Sequence, residues 1–347
     1  DDVVGNKSVV GISAQNTTRL TISNIAIDDL VAPDADGATL SNWTRSGSGG
    51  ESVGIAVHDS SFTTIEGVVL GSLAGGHGGD VSTQSSGPGA KSGPGGGAVG
   101  IRFASSSDCL VDASSVSDLF AGRGGHASHV WSGGTGGVAV GIDLQQSTAI
   151  EIRDTSVADC TGGAGGQAGD SAEAAGGEGG LAVGVLINDS HALVATSNDF
   201  TSIDGGEGGA AFTSSRAGST QRGYGFYFVD ESYDQHIASD NTMDNEPVVF
   251  VSGEASVTVS GHSLVGDVNP TNLGKIAVVD SSDVFIQDNE VRGHIGASGS
   301  SGGRGGLGAP GLDGTGLFLL RCNGCVVQRN LVGSIKGGTG GASGANS

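Results

Sequence analysis

The chain has 347 residues, of which 67 are Gly and only 6 are Pro, and its formal net charge is −22. Glycine near one in five against a usual ~7%, with so little proline and no glycine at every third place, excludes collagen. The acidity excludes a nucleic-acid or bare anionic-membrane partner, and no apolar run nears the ~18 residues of a membrane span. The opening Asp1-Asp2-Val3-Val4 has no signal-peptide character and reads as a mature end or a cut point.

In chain order, one phrase recurs: Val10-Gly11-Ile12, Val53-Gly54-Ile55, Val99-Gly100-Ile101, Val140-Gly141-Ile142, Val183-Gly184-Val185, Tyr224-Gly225-Phe226 and Thr315-Gly316-Leu317. Degenerate copies stand at Pro247-Val248-Val249 and Gly274-Lys275-Ile276. With the middle residue as position zero, positions one and three are apolar, as in Ile55 and Val57 or Ile101 and Phe103, which is the period of a half-buried strand. Further apolar columns follow at position eleven (Ile65, Val111, Ile152) and position sixteen (Leu70, Val116, Val157). The copy beginning at Tyr224 drifts, which predicts a bulge near Ser232. Three short strands per copy predict an all-β chain, a single right-handed parallel β-helix domain over 1–347 with about nine coils, in which stacked copies bury one shared column.

Most glycines fall in inserts at 31–52, 74–98, 120–139, 161–182, 204–223, 296–314 and 336–347, where Gly-Gly-x-Gly-Gly recurs, as at 75–79, 162–166, 205–209 and 302–306. Each insert leaves after the third strand and returns before position zero, so all must stack on one side. Flexible Gly/Ser loops are one reading. The preferred reading is an ordered layer of threefold polyglycine II helices, because free glycine is the costliest residue to fix and only a shared hydrogen-bonded lattice offsets that. Trp43, Val130-Trp131 and Phe212 lie near insert tips, where they would cap the layer or present contacts. Position zero is expected to point outward, its glycines making room for the insert backbone.

Cys109 and Cys160 fall in inward columns and read as buried thiols. Cys322 and Cys325 form a CxxC suited to a local disulfide, with no second pair to make a zinc site. Asn198, Asn289 and Asn330 share position fourteen, with Asn241 equivalent, and predict an asparagine ladder at a corner. Sequons begin at Asn6, Asn16, Asn42 and Asn188. Aspartates scattered over turns suit adventitious calcium; no cofactor is expected. For catalysis, the outward places of the first strands offer His58, Arg102, Asp143 and Gln145, with Arg102 beside Asp143 as the best acid/base pair, weighed against a solvated charge ladder. The same outward columns continue as Leu186, Tyr227, Phe250, Val279, Phe318 and Leu320, which predicts an exposed apolar stripe suited to a contact.

The Val-Gly-Ile openings, and the Asn two places before a Val at Asn289 and Asn330, resemble the right-handed parallel β-helix proteins of the pectin-lyase-like superfamily. The Gly-Gly-x-Gly-Gly inserts resemble the polyglycine layers of phage tail-tip adhesins and glycine-rich bacterial surface proteins. The first resemblance implies the fold and spans enzymes and non-catalytic surface proteins alike; neither supplies catalytic residues.

Residues 1–8 read as the close of a preceding coil, and the chain stops inside an insert, so both ends present open strand edges. The expectation is an extracellular or cell-surface, non-enzymatic structural protein whose copies stack head to tail into a filament, sheath or surface layer. The alternatives are an adhesin or tail-fibre-like module meeting a cell-surface glycan or receptor, and a polysaccharide lyase or hydrolase.

Overall fold

The structure is a computed structural model that describes residues 8–35, 46–81, 92–128, 132–170, 174–211, 216–229, 235–237, 240–244, 246–266, 272–295 and, between short gaps, 299, 301, 307–308, 310–311 and 314–343. Trp43, Val130, Trp131, Phe212, Ser232, Asn6, Asn42 and residues 1–7 lie outside these.

Every element among the described residues is a strand. Val9–Gln15, Ser52–His58, Ala98–Ala104, Ala139–Gln145, Ala182–Asn188 and Gly223–Val229 form one sheet, each pairing parallel with the next. A second parallel run begins Thr21–Ser23, Thr64–Glu66, Ser107–Asp112, Thr148–Arg153. A third contains Ala26–Ile27, Val69–Leu70, Ser115–Val116 and Ser156–Thr161. A chain that returns to the same three sheets in turn is wound as a parallel β-helix. Ile55, Val57, Ile101, Phe103, Ile142 and Leu144 fill its interior, as their alternation requires.

The position-zero glycines do not point outward. A Cβ on Gly100 would lie 2.5 Å from Cγ1 of Val116, and one on Gly141 or Gly184 would overlap Val157 or Phe200. These are the position-sixteen side chains of the same repeat, so the glycine faces the core at a corner where the third strand already fills the space. Strand pairing skips these glycines: Val99 pairs with Val140 and Ile101 with Ile142.

The corners are closed by polar ladders. Asn241 Oδ1 accepts from the backbone N–H and from Nδ2 of Asn198, at 3.0 and 2.8 Å, and Asn330 Oδ1 does the same for Asn289. A second ladder escaped the sequence reading. The Ser106, Ser147 and Ser190 hydroxyls accept from the backbone N–H of Ser60, Ser106 and Ser147 one repeat earlier. Both ladders satisfy buried turn amides that no strand partner reaches.

The column has a join. The expected continuation would lay Val248-Val249 on the Tyr224–Phe226 strand in parallel. Instead Val249–Ser252 pairs antiparallel with His236–Ile237 in the second sheet, through His236 with Val251 and Ile237 with Phe250. Parallel winding then resumes through Ile276–Val279 and Leu317–Leu320. Across the join both faces of these strands are used. Val249, Val251, Ile276 and Val278 pack into a new core with Val259 and Ile286, while Phe250, Ala277 and Val279 close the end of the first core, with the Phe250 ring stacked on Phe228 at 4.3 Å. Alternation fails here because a sheet buried on both faces reads as continuous apolar sequence.

Candidate functional site

Arg102 and Asp143 meet as expected. They are register partners on adjacent strands, and Arg102 Nε donates to Asp143 Oδ2 at 2.8 Å. Gln145 Nε2 donates to the same oxygen at 2.7 Å. The sequence reading missed the third member, Glu51, which belongs by position to an insert; it accepts both Arg102 Nη groups at 2.8 and 2.6 Å. His58 stands two places further along its strand, in register with Ala104, and takes no part in these bonds. Asp143 is 2% exposed and its Oδ1 has no hydrogen-bond partner. Burial pushes its carboxyl above the usual carboxylate range, against the pull of Arg102. Burial alone would lower the Arg102 guanidinium, but Glu51 and Asp143 more than offset this and hold it charged. In this arrangement the cluster clamps the base of an insert to the sheet; the Arg is committed on both sides and the Asp is under cover.

The apolar stripe divides. Phe250 and Val279 are 2% and 0% exposed, consumed by the join, and Phe318 and Leu320 pack beside them against the first core. Leu186 and Tyr227 are half-buried, with Tyr227 ring-to-ring against Tyr224 at 5.1 Å. The end of the first core is what covers this row.

A regular display of side chains lies on the glycine-rich segments. Gly96, Gly122, Gly137, Gly163, Gly180 and Gly206 each donate a backbone N–H to the carbonyl of the one before, beginning at Gly76, at 2.8–2.9 Å. Three residues further out, Gly93, Gly125, Gly134, Gly166, Gly177 and Gly209 repeat the relay from Gly79 at 2.7–3.1 Å. These bonds join outgoing to returning passes. Outgoing passes also bond to one another, Gly75 to Phe120, Ala121 to Thr161 and Gly162 to Asp204. So of every three backbone N–H groups one donates across, one donates along to a third-place carbonyl, and the third faces outward with its side chain. On the outgoing passes the third place gives Asp34, His77, Arg123, Ala164 and Glu207 in one row and Asp80, His126, Gln167 and Ala210 in the next.

These side chains cap the amides that face outward with them. Asp34 Oδ1 accepts from the His77 N–H at 2.7 Å and His77 Nδ1 from the Arg123 N–H at 3.1 Å; Asp80 Oδ1 accepts from His126 at 2.8 Å and His126 Nδ1 from Gln167 at 3.0 Å. Arg123 Nη1 lies 3.5 Å from Asp80. Phe120 is exposed at the base of the same face. The signal was in the x of each Gly-Gly-x-Gly-Gly.

The CxxC pair is a disulfide between Cys322 and Cys325, and Cys109 and Cys160 are buried free thiols. Burial pushes the Cys109 and Cys160 thiols up, which keeps them unreactive. Among the described residues no three His, Cys, Asp or Glu side chains gather to hold a metal ion, and no helix is long and apolar enough to cross a membrane.

No protein family and no curated protein matches the chain. Solved structures that match include a periplasmic alginate epimerase, AlgG (12% identity, 85% of this chain and 80% of that one, TM-score 0.24). An exopolygalacturonase from Thermotoga maritima matches at 12% identity over 92% and 85%, TM-score 0.24. The Streptococcus pneumoniae surface protein and adhesin PfbA matches at 10% over 95% and 93%, TM-score 0.23. The expectation that the chain is not an enzyme is corrected here, since the matching structures include carbohydrate-active enzymes.

Proposed function

We propose that the chain is an extracellular or cell-surface binding module: a right-handed β-helical column flanked by an ordered polyglycine II layer that holds a surface glycan or receptor against its outgoing face. One observation carries this reading. The glycine segments donate backbone N–H groups to each other at two of every three residues, and the third presents His77, Arg123, His126 and Gln167 on one side in register. A flexible tether has no use for such phase. The Cys322–Cys325 disulfide supports an oxidising compartment.

The test is binding of the purified chain to whole cells and to a glycan array, against a variant with Arg123→Ala, His126→Ala and Gln167→Ala. Loss of binding at unchanged circular dichroism supports the reading; undiminished binding overturns it.

A further inference from the structure

The join leaves a cleft of about 310 Å³. Its origin is topological. Among the described residues Thr258–Ser260 pairs with Phe285–Gln287 and with no strand of the first column, so its other edge lies unpaired beside the antiparallel pair. Ile237, Val249, Val251, Val257 and Val259 make the floor and walls. Gln235 braces one end, its amide held between Leu193 N–H and Ser190 C=O. The polar groups at the mouth are His236, Glu254, Thr258 and His262.

Their charges decide what fits. Among the described residues Glu254 is the one carboxylate lining the cleft, and no Lys or Arg lines it. His236 Nδ1 is turned to Glu254 Oε1 at 3.7 Å. Burial lowers the His262 imidazole below its ordinary value, so it offers no cation to an anionic guest. A net charge of −22 adds to the bias. We propose that this cleft is a binding site for a small organic cation, an ammonium group carried on a compact apolar body, with the apolar part on the valine floor and the ammonium at Glu254. A volume near the lower end of the usual range for ligand pockets matches a guest the size of one ring with a short arm. This site is separate from the glycine face and stands or falls independently of it.

The test is methyl NMR of the full chain labelled at Ile and Val, titrated with benzylamine, benzyl alcohol and benzoate. The expected result is saturable benzylamine shifts at Ile237, Val249, Val251, Val257 and Val259, several-fold tighter than benzyl alcohol, with benzoate weakest. Glu254→Gln, at a half-buried position that leaves the methyl spectrum intact, brings benzylamine and benzyl alcohol to parity. Absent saturation, benzoate binding as tightly as benzylamine, or an amine preference that survives Glu254→Gln would each overturn the proposal.

Discussion

At the scale of single residues, Asp143 is a carboxyl only 2% exposed. A carboxyl this buried is tolerated because Arg102 and Gln145 hold one of its oxygens. Removing the guanidinium strands it: Arg102→Ala is expected to cost about 3 kcal/mol in urea unfolding at neutral pH. Asp143→Asn should cost much less, since Arg102 keeps Glu51. The sign with pH follows from the direction of the shift. A carboxyl raised by burial favours folding while protonated and loses that contribution as pH rises through its folded value. The Arg102→Ala penalty should therefore shrink as pH falls, and a penalty that grows in acid would refute the account.

At the scale of elements, glycine acts in two distinct ways. Along the column it empties a corner for a third-strand side chain. Gly141→Ala should cost roughly 1–3 kcal/mol by overpacking against Val157. Val157→Ala in the same chain should recover part of that in a double-mutant cycle, only part because the new methyl also approaches the Gly184 carbonyl. In the flank, glycine permits backbone-to-backbone contact. A Cβ on Gly163 would overlap the Gly122 carbonyl, whereas the adjoining Ala164 already carries one on the open side. Hydrogen exchange should show Gly163→Ala deprotecting the amides of neighbouring passes, and Ala164→Ser leaving them unchanged.

Much of this was legible beforehand. Period-two apolar pairs such as Ile101 and Phe103 mark a strand with one dry face wherever they recur, and Asn198 with Asn289 and Asn330 mark a stacked corner. The serine ladder was missed because Ser60, Ser106 and Ser147 sit in a chain rich in serine, where one more recurrence carries little information. Glu51 was missed because it falls in a glycine-rich insert, outside the repeated strand positions that align Arg102 with Asp143. The inward turn of Gly100 was misread because a glycine has no side chain whose polarity betrays its facing.

At the scale of the whole molecule, the join is what the repeat hid. Val249, Phe250 and Val251 satisfy the apolar pattern whether the strand runs with its neighbour or against it, so direction had no signature. Its energetic weight is concentrated in Phe250, which stands on a strand after the join yet closes the end of the first core, stacked on Phe228. Phe250→Ala should cost about 3–5 kcal/mol. It should also split a single calorimetric transition into two, since residues before and after the join would then lose their shared wall. One unbroken transition in that variant would mean the two cores are coupled by something else.

The outward side chains of the glycine flank recur at every third residue, and this gives the flank a reading frame. Adding or deleting a single residue in a pass turns everything beyond it by a third of a revolution, driving a side chain into a neighbour's carbonyl and baring a glycine to water. Adding three keeps the phase and only lengthens the pass, by roughly 9 Å. Lengths should therefore vary in triplets while the column beneath stays the same, and the surface chemistry can be rewritten one x at a time without renegotiating the fold.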